Sequence, residues 1–190
     1  MVLFIKTINM NREETQNLVK QYIKNDALYR HCEMVATAME GYAKKLGLNE
    51  QEVEEWWSAG MLHDIDWEMY PDEHPNYAVN NILPQKGYSQ VVIDAIKAHA
   101  PDRTGKKAEA QIEKYLFACD ELSGFINAAG LIRPNGLSDM EASSVTKRLK
   151  DKRFAANVNR EDIALGVELI GIPIAEHITN LIRFFRRKGY

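Results

Sequence analysis

The chain has 190 residues, 45% of them apolar, and a formal net charge of -3. That length is enough for one domain with its own core, and the slightly acidic balance gives no electrostatic grip on nucleic acid or an anionic membrane. The two cysteines, Cys32 and Cys119, are too few for a disulfide framework and suit a reducing compartment, so a cytoplasmic location is expected. No apolar run reaches the roughly 20 residues of a spanning helix. Taken from the N-terminus, the apolar stretch Met1 to Ile5 is too short for a signal-peptide core and has no basic residue before it. Helical patterning starts near Asn11. Residues 1–10 therefore read as an N-terminal extension, with Met10 as an alternative start.

Helix then follows helix, with no alternating strand pattern. The first runs from about Arg12 to Lys24. The second carries Leu28, His31, Val35, Met39, Tyr42 and Leu46 on one face, and Gly47 suits its stop. A third opens at Asn49, with Glu52 as the partner of a capping box. Its apolar face of Val53, Trp56, Trp57 and Gly60 leads one turn on to His63 and Asp64. After an acidic loop from Asp66 to Glu73, His74-Pro75 opens a short helix ending at Leu83-Pro84. Val92, Ala95, Ile96 and His99 mark a helix that stops at Pro101, and a long one from about Lys107 to Ala129 holds Asp120. Ser138 and Glu141 suggest a further capping box, and Asn159 and Pro173 open the last two helices. The expected fold is all-α, a single-domain helical bundle. Residues 11–130 would form its core, with the helices of residues 131–190 packed on it in the same domain.

The chain holds five histidines: His31, His63, His74, His99 and His177. An imidazole on an apolar helix face needs a partner, because an unpartnered buried polar group costs about 1–3 kcal/mol. One such histidine alone reads as structural. Here His31, His63 and His99 join the carboxylates of Asp64 and Asp120 on faces turned toward a core, and helix-bundle interiors assemble metal sites from such side chains. Mixed imidazole and carboxylate donors suit Mn, Fe, Co, Ni, Zn or Mg. The thiols of Cys32 and Cys119 adjoin these residues in sequence but point elsewhere on their helices, and read as small core residues.

With His31 in LYRHCEMVA, His63-Asp64 in AGMLHDIDWE and Asp120 in LFACDELSGF, the chain resembles the HD-domain superfamily of metal-dependent phosphohydrolases, above all its small single-domain members. His74 in DEHPNYAV and His99 in AIKAHAPD match the intermediate histidines of that family. The resemblance runs over about residues 11 to 130 with every motif in order. There are departures. His-Asp-Ile-Asp stands where the common variant has His-Asp-Ile-Gly, Ala98-His99 replaces a frequent His-His pair, and the Gly-Tyr-Pro motif of the cyclic-dinucleotide subgroup is absent. These departures bear on the substrate more than on the metal.

The resemblance implies one or two divalent metal ions on His31, His63, Asp64 and Asp120, with His74 and His99 for a second and Asp64 bridging. A divalent metal lowers the pKa of bound water toward ~7 and polarises a phosphoryl group, and two metals about 3.5–4 Å apart hold a bridging hydroxide. The implied function is metal-dependent hydrolysis of a phosphomonoester or phosphodiester of a small molecule, a nucleotide above all, by metal-activated water. Asp64 is placed among the catalytic residues, with Asp66 and Glu68 to orient water or act as general base; the plainer alternative is that the last two solvate a loop. Lys97 and Arg133 are candidate phosphate contacts, or else surface cations. His177 reads as structural. The basic run from Lys147 to Arg153 reads as a solvated face or as the rim of a polyphosphate cleft. Two rival functions use the same scaffold: a di-iron oxygenase on the six metal-ligating residues, and a non-catalytic binding or regulatory module. The expected partner is a small phosphate ester, with neither nucleic acid nor membrane, and the letters do not fix the oligomeric state.

Overall fold

A computed structural model describes residues 11–190, and the expectations for residues 1–10 lie outside it. Among the described residues there are nine α-helices, one short π-helical segment and no strand. In chain order they are α1 (Arg12–Tyr22), α2 (Asp26–Lys45), α3 (Glu50–Leu62), the π segment (Ala78–Ile82), α4 (Gln90–His99), α5 (Pro101–Thr104), α6 (Gln111–Leu131), α7 (Ala142–Leu149), α8 (Arg160–Ile170) and α9 (Ile174–Lys188). Among them, no single helix is long and apolar enough to cross a membrane.

The helix starts follow local chemistry. Asn49 Oδ1 accepts the Glu52 N–H and the Glu52 carboxylate accepts the Asn49 N–H, both at 3.0 Å, which closes the capping box expected there. Asn159 caps α8 through the N–H groups of Glu161 and Asp162. Past α2, Gly47 takes a φ of +73°, a left-handed conformation that glycine adopts without strain.

Other starts differ from the sequence reading. The Ser138 hydroxyl donates to the Asn135 carbonyl at 2.5 Å instead of capping a helix, and α7 opens at Ala142 without a side-chain cap. The long helix begins at Gln111, where the Glu113 carboxylate accepts the N–H groups of Glu109 and Ala110. Pro101 ends α4 but also opens the single turn of α5, for which Gly105 supplies a left-handed exit. The segment after His74-Pro75 is π-helical over Ala78–Ile82.

Two close helix crossings set the frame. A Cβ on Gly60 of α3 would lie 2.6 Å from Ala36 Cα, so α3 lies directly on α2. Gly166 of α8 stands in the same relation to Ala118 of α6, at 2.7 Å. The core between them is fully buried at Met34, Met39, Tyr42, Met61, Leu62, Leu122 and Phe125. Helix α9 closes one side. His177 Nε2–H donates to the Ala118 carbonyl at 3.0 Å, which leaves Nδ1 to accept the Tyr42 hydroxyl at 2.5 Å. Cys32 and Cys119 are fully buried, and burial first of all pushes both thiols up, Cys32 to about 12. Neither is a thiolate at neutral pH.

Candidate metal centre

The α2–α3 crossing determines which side chains meet. His31 stands in the second turn of α2, His63 follows the last residue of α3, and Asp64 comes next. Asp120 arrives from the middle of α6. Nε2 of His31 lies 2.9 Å from Asp120 Oδ1, 3.2 Å from His63 Nε2 and 3.7 Å from Asp64 Oδ2. Nε2 of His63 is 3.4 Å from both Asp64 Oδ2 and Asp120 Oδ1. On the other side of Asp64, Oδ1 faces Nε2 of His74 at 3.5 Å and Nε2 of His99 at 3.9 Å. His31, His63 and Asp64 form one group able to hold a cation, and Asp64, His74 and His99 form a second. One carboxylate thus serves both.

The tautomers follow from the outer contacts. Nδ1–H of His63 donates to the Gly60 carbonyl at 2.8 Å, and Nδ1–H of His99 to the Ile96 carbonyl at 2.5 Å. Nδ1–H of His74 donates to Asp66 Oδ1 at 2.7 Å. A neutral imidazole that donates at Nδ1 presents a lone pair at Nε2. The lone pairs of His74 and His99 therefore face each other at 3.2 Å, a repulsive arrangement unless a cation lies between them. The donor set fits a divalent metal: buried imidazoles held from behind by hydrogen bonds, with a carboxylate at the junction.

The electrostatics agree. Burial opposes a charge on His63, but Asp64 and Asp120 outweigh it and hold its pKa well above the ordinary value. Burial likewise opposes charge on Asp64 and Asp120, yet His63 and His31 keep both well below the carboxylate range. Burial, and then His63, lowers His99 to about 4, so it stays a neutral donor at physiological pH. The centre favours positive charge near Nε2 of His63 and neutral imidazole at His99.

The structure brings His31, His63, Asp64, His74, His99 and Asp120 together and separates the remaining sequence candidates. Asp66 is fully buried, with one oxygen on His74 and the other accepting the Ala78 N–H at 2.8 Å, so neither is free to take a proton from water. Glu68, in the segment after α3, has its Oε2 accept the backbone N–H groups of Lys24 and Asn25, both at 2.9 Å, and so braces the loop before α2. Lys97 faces Asp94 at 3.9 Å and Arg133 pairs with Asp139 at 2.6 Å, and neither lines the cleft at the centre.

That cleft, of about 420 Å³, opens over His31, Asp64, His74, His99 and Asp120. Its walls include Trp67, Asp102, Arg103, Glu121 and Asp162, which the sequence reading missed. Arg103 Nη1 donates to the carbonyls of Pro71, at 2.7 Å, and His74, at 3.2 Å, and its guanidinium lies 5.4 Å from the Trp67 ring centroid. The available signal was the turn Pro101 to Gly105 directly after His99, which has to sit beside the centre.

A family model described as HD domain matches residues 28–125, a span that takes in all six converging residues. No curated protein and no solved structure matches the chain.

Proposed function

The chain belongs to the HD domain family, and on that premise we propose that it is a metal-dependent phosphohydrolase acting on a phosphomonoester or phosphodiester of a small molecule. The observation that carries this reading is Asp64, whose Oδ2 faces His31 and His63 while its Oδ1 faces His74 and His99. His31, His63, Asp64 and Asp120 would hold one divalent metal, and His74 and His99, with Asp64 shared, a second. Bound there, the metal supplies an ionised water for attack at phosphorus and positive charge for the phosphate oxygens.

The chain's own residues do the rest. Asp66 and the carbonyls of Gly60 and Ile96 fix the three imidazoles in the tautomer that binds a metal. Arg103 takes over the phosphate-contacting role expected of Lys97 and Arg133, as the only Lys or Arg lining the cleft among the described residues. A cleft of about 420 Å³ falls within the usual range for small-molecule sites. A nucleotide enters this reading through the family resemblance only.

The test pairs elemental analysis of protein purified without chelator with phosphate release from a panel of mono- and diesters. One or two divalent metals per chain and phosphate release are expected, and Asp64→Ala should lose both. Metal content unchanged in Asp64→Ala overturns the site. Two irons with oxygen consumption and no phosphate release overturn the hydrolase reading in favour of an oxygenase.

A further inference from the structure

Of the six converging residues, His74 has the least support from a helix of its own. His31, His99 and Asp120 stand on α2, α4 and α6, and His63 and Asp64 directly follow α3. His74 hangs on the segment 63–77, which is not helical over residues 63–75. Asp66 fixes the His74 ring through Nδ1, but that hydrogen bond lies within the segment and leaves its distance from His99 to other contacts. His99 is the last residue of α4, and the turn of residues 100–105 follows it directly. The Thr104 hydroxyl fastens that turn to α4 by donating to the Lys97 carbonyl at 2.7 Å.

Arg103 spans the gap between segment and turn. Its Nη1 donates to the Pro71 carbonyl at 2.7 Å and to the carbonyl of His74 itself at 3.2 Å. Its guanidinium rests 5.4 Å from the Trp67 ring centroid, and that ring meets the His74 imidazole edge-on at 4.9 Å. In the opposite direction, Asn76 Nδ2–H donates to the Arg103 carbonyl at 3.2 Å. Among the described residues, every hydrogen bond between the segment and the turn involves Arg103. The residue is exposed, so it fills no space in the core. An arginine needed only as a cation for phosphate would have no reason to brace the backbone of a metal-ligating residue.

We propose that Arg103 is a positioning residue for the His74–His99 half of the metal centre: it holds the segment that carries His74 against the turn that follows His99. The proposal rests on the two-ion part of the phosphohydrolase reading and not on the ester. A ligand on a loose segment has to be ordered when an ion binds, and that cost is subtracted from the affinity; a segment braced beforehand avoids it. The expected sign is opposite to that of simple electrostatics. Arg103 lines the same cleft as His74 and His99, and removing a cation relieves repulsion of a divalent ion, so charge alone would leave metal affinity unchanged or raise it. The test titrates the metal-free full chain with manganese in a calorimeter, the ion on the His74–His99 side being the step that His74→Ala removes. Arg103→Ala should weaken that step by roughly tenfold, the low end for outer-shell partners, and spare the step at His31–His63. Asn76→Ala carries no charge change and lies outside the cleft lining, and should weaken the same step by less. The melting temperature of the metal-free protein should stay the same in both variants. An unchanged or tighter His74 step in Arg103→Ala, or equal weakening of both steps, overturns the proposal and leaves the metal centre standing. A wild-type titration without any step that His74→Ala removes overturns the proposal and the two-ion centre together. A selectively weakened His74 step in a protein that releases no phosphate supports the proposal while overturning the hydrolase reading.

Discussion

Asp66 spends both carboxylate oxygens within the protein, on the Nδ1–H of His74 and the N–H of Ala78, and so acts on the centre through His74. Outer-shell partners of this kind set ligand tautomer and basicity, and losing one typically costs 10–100-fold in metal affinity. Asp66→Asn keeps the shape but not the charge, and competition with a coloured chelator should show weaker metal binding in that range with the helical content unchanged. His177 plays a different part at the same scale. Its neutral form joins Tyr42 to Ala118, and burial lowers its pKa to about 4. In the unfolded chain the imidazole titrates near 6.5. Between those values the unfolded state binds more protons, so this contribution is complete above about pH 6.5 and is lost as the pH falls toward 4, by about 3 kcal/mol in all. Urea midpoints at about pH 7.5 and 5 should show about 2 kcal/mol of the wild-type drop missing in His177→Gln. The histidines and aspartates of the centre were legible in the sequence because helical spacing puts each beside core residues. Lys97 stands away from the cleft for a reason the same spacing contains. Two residues from His99 is about 200° round a helix, so the two side chains point apart. Arg133 lies 13 positions past Asp120, about 20 Å along the axis.

At the scale of elements, the α2–α3 crossing is the tightest constraint on the centre. Gly60 lets the backbones touch, and its carbonyl holds Nδ1 of His63. Gly60→Ala brings a methyl group within 2.6–2.8 Å of backbone atoms of Val35 and Ala36. Overpacking of this kind typically costs 1–3 kcal/mol. A lower denaturation midpoint is expected, together with weaker metal binding, since pushing α3 off α2 also moves His63 away from His31. An unchanged midpoint would show that the crossing has slack. Elements whose ends are capped by their own side chains were readable from the letters, as at Asn49–Glu52 and Asn159. Those settled by tertiary contacts were not. The Ser138–Glu141 pair has the spacing of a cap, yet Ser138 turns to Asn135 and the helix opens further on. The π-helical course of Ala78–Ile82 has its anchor in Asp66, twelve residues away, which receives the Ala78 N–H.

For the molecule as a whole, the proposed metal binding would be coupled to folding. The candidate ligands come from α2, the end of α3, the loop before the π segment, α4 and α6, and no unfolded chain presents them together. A metal in hundredfold excess over its Kd adds about 2.7 kcal/mol, which for a chain of this size is a rise in Tm of roughly 5–10 °C. Thermal scans with manganese and with chelator should differ by that amount, and Asp64→Ala should show no difference. Residues beyond the matched span 28–125 also take part in the core: α9 reaches Tyr42 and Ala118 through His177, and Gly166 seats α8 on α6. A fragment ending at residue 130 would expose Tyr42 and the α6 face to water, and no cooperative unfolding transition is expected of it in calorimetry. The shared carboxylate at Asp64 has a consequence for how the protein responds to its surroundings. Two ions that shared the oxygens of this one side chain would not bind independently: the first would draw electron density from the carboxylate and repel the second, so filling would proceed in two steps at well-separated concentrations. Because linkage is reciprocal, whatever an ion on the His74–His99 side did to affinity at His31–His63 would be returned in equal measure. The singly filled protein would then be a distinct species over a range of metal supply, and the proposed activity would follow that supply as a staircase instead of a single curve.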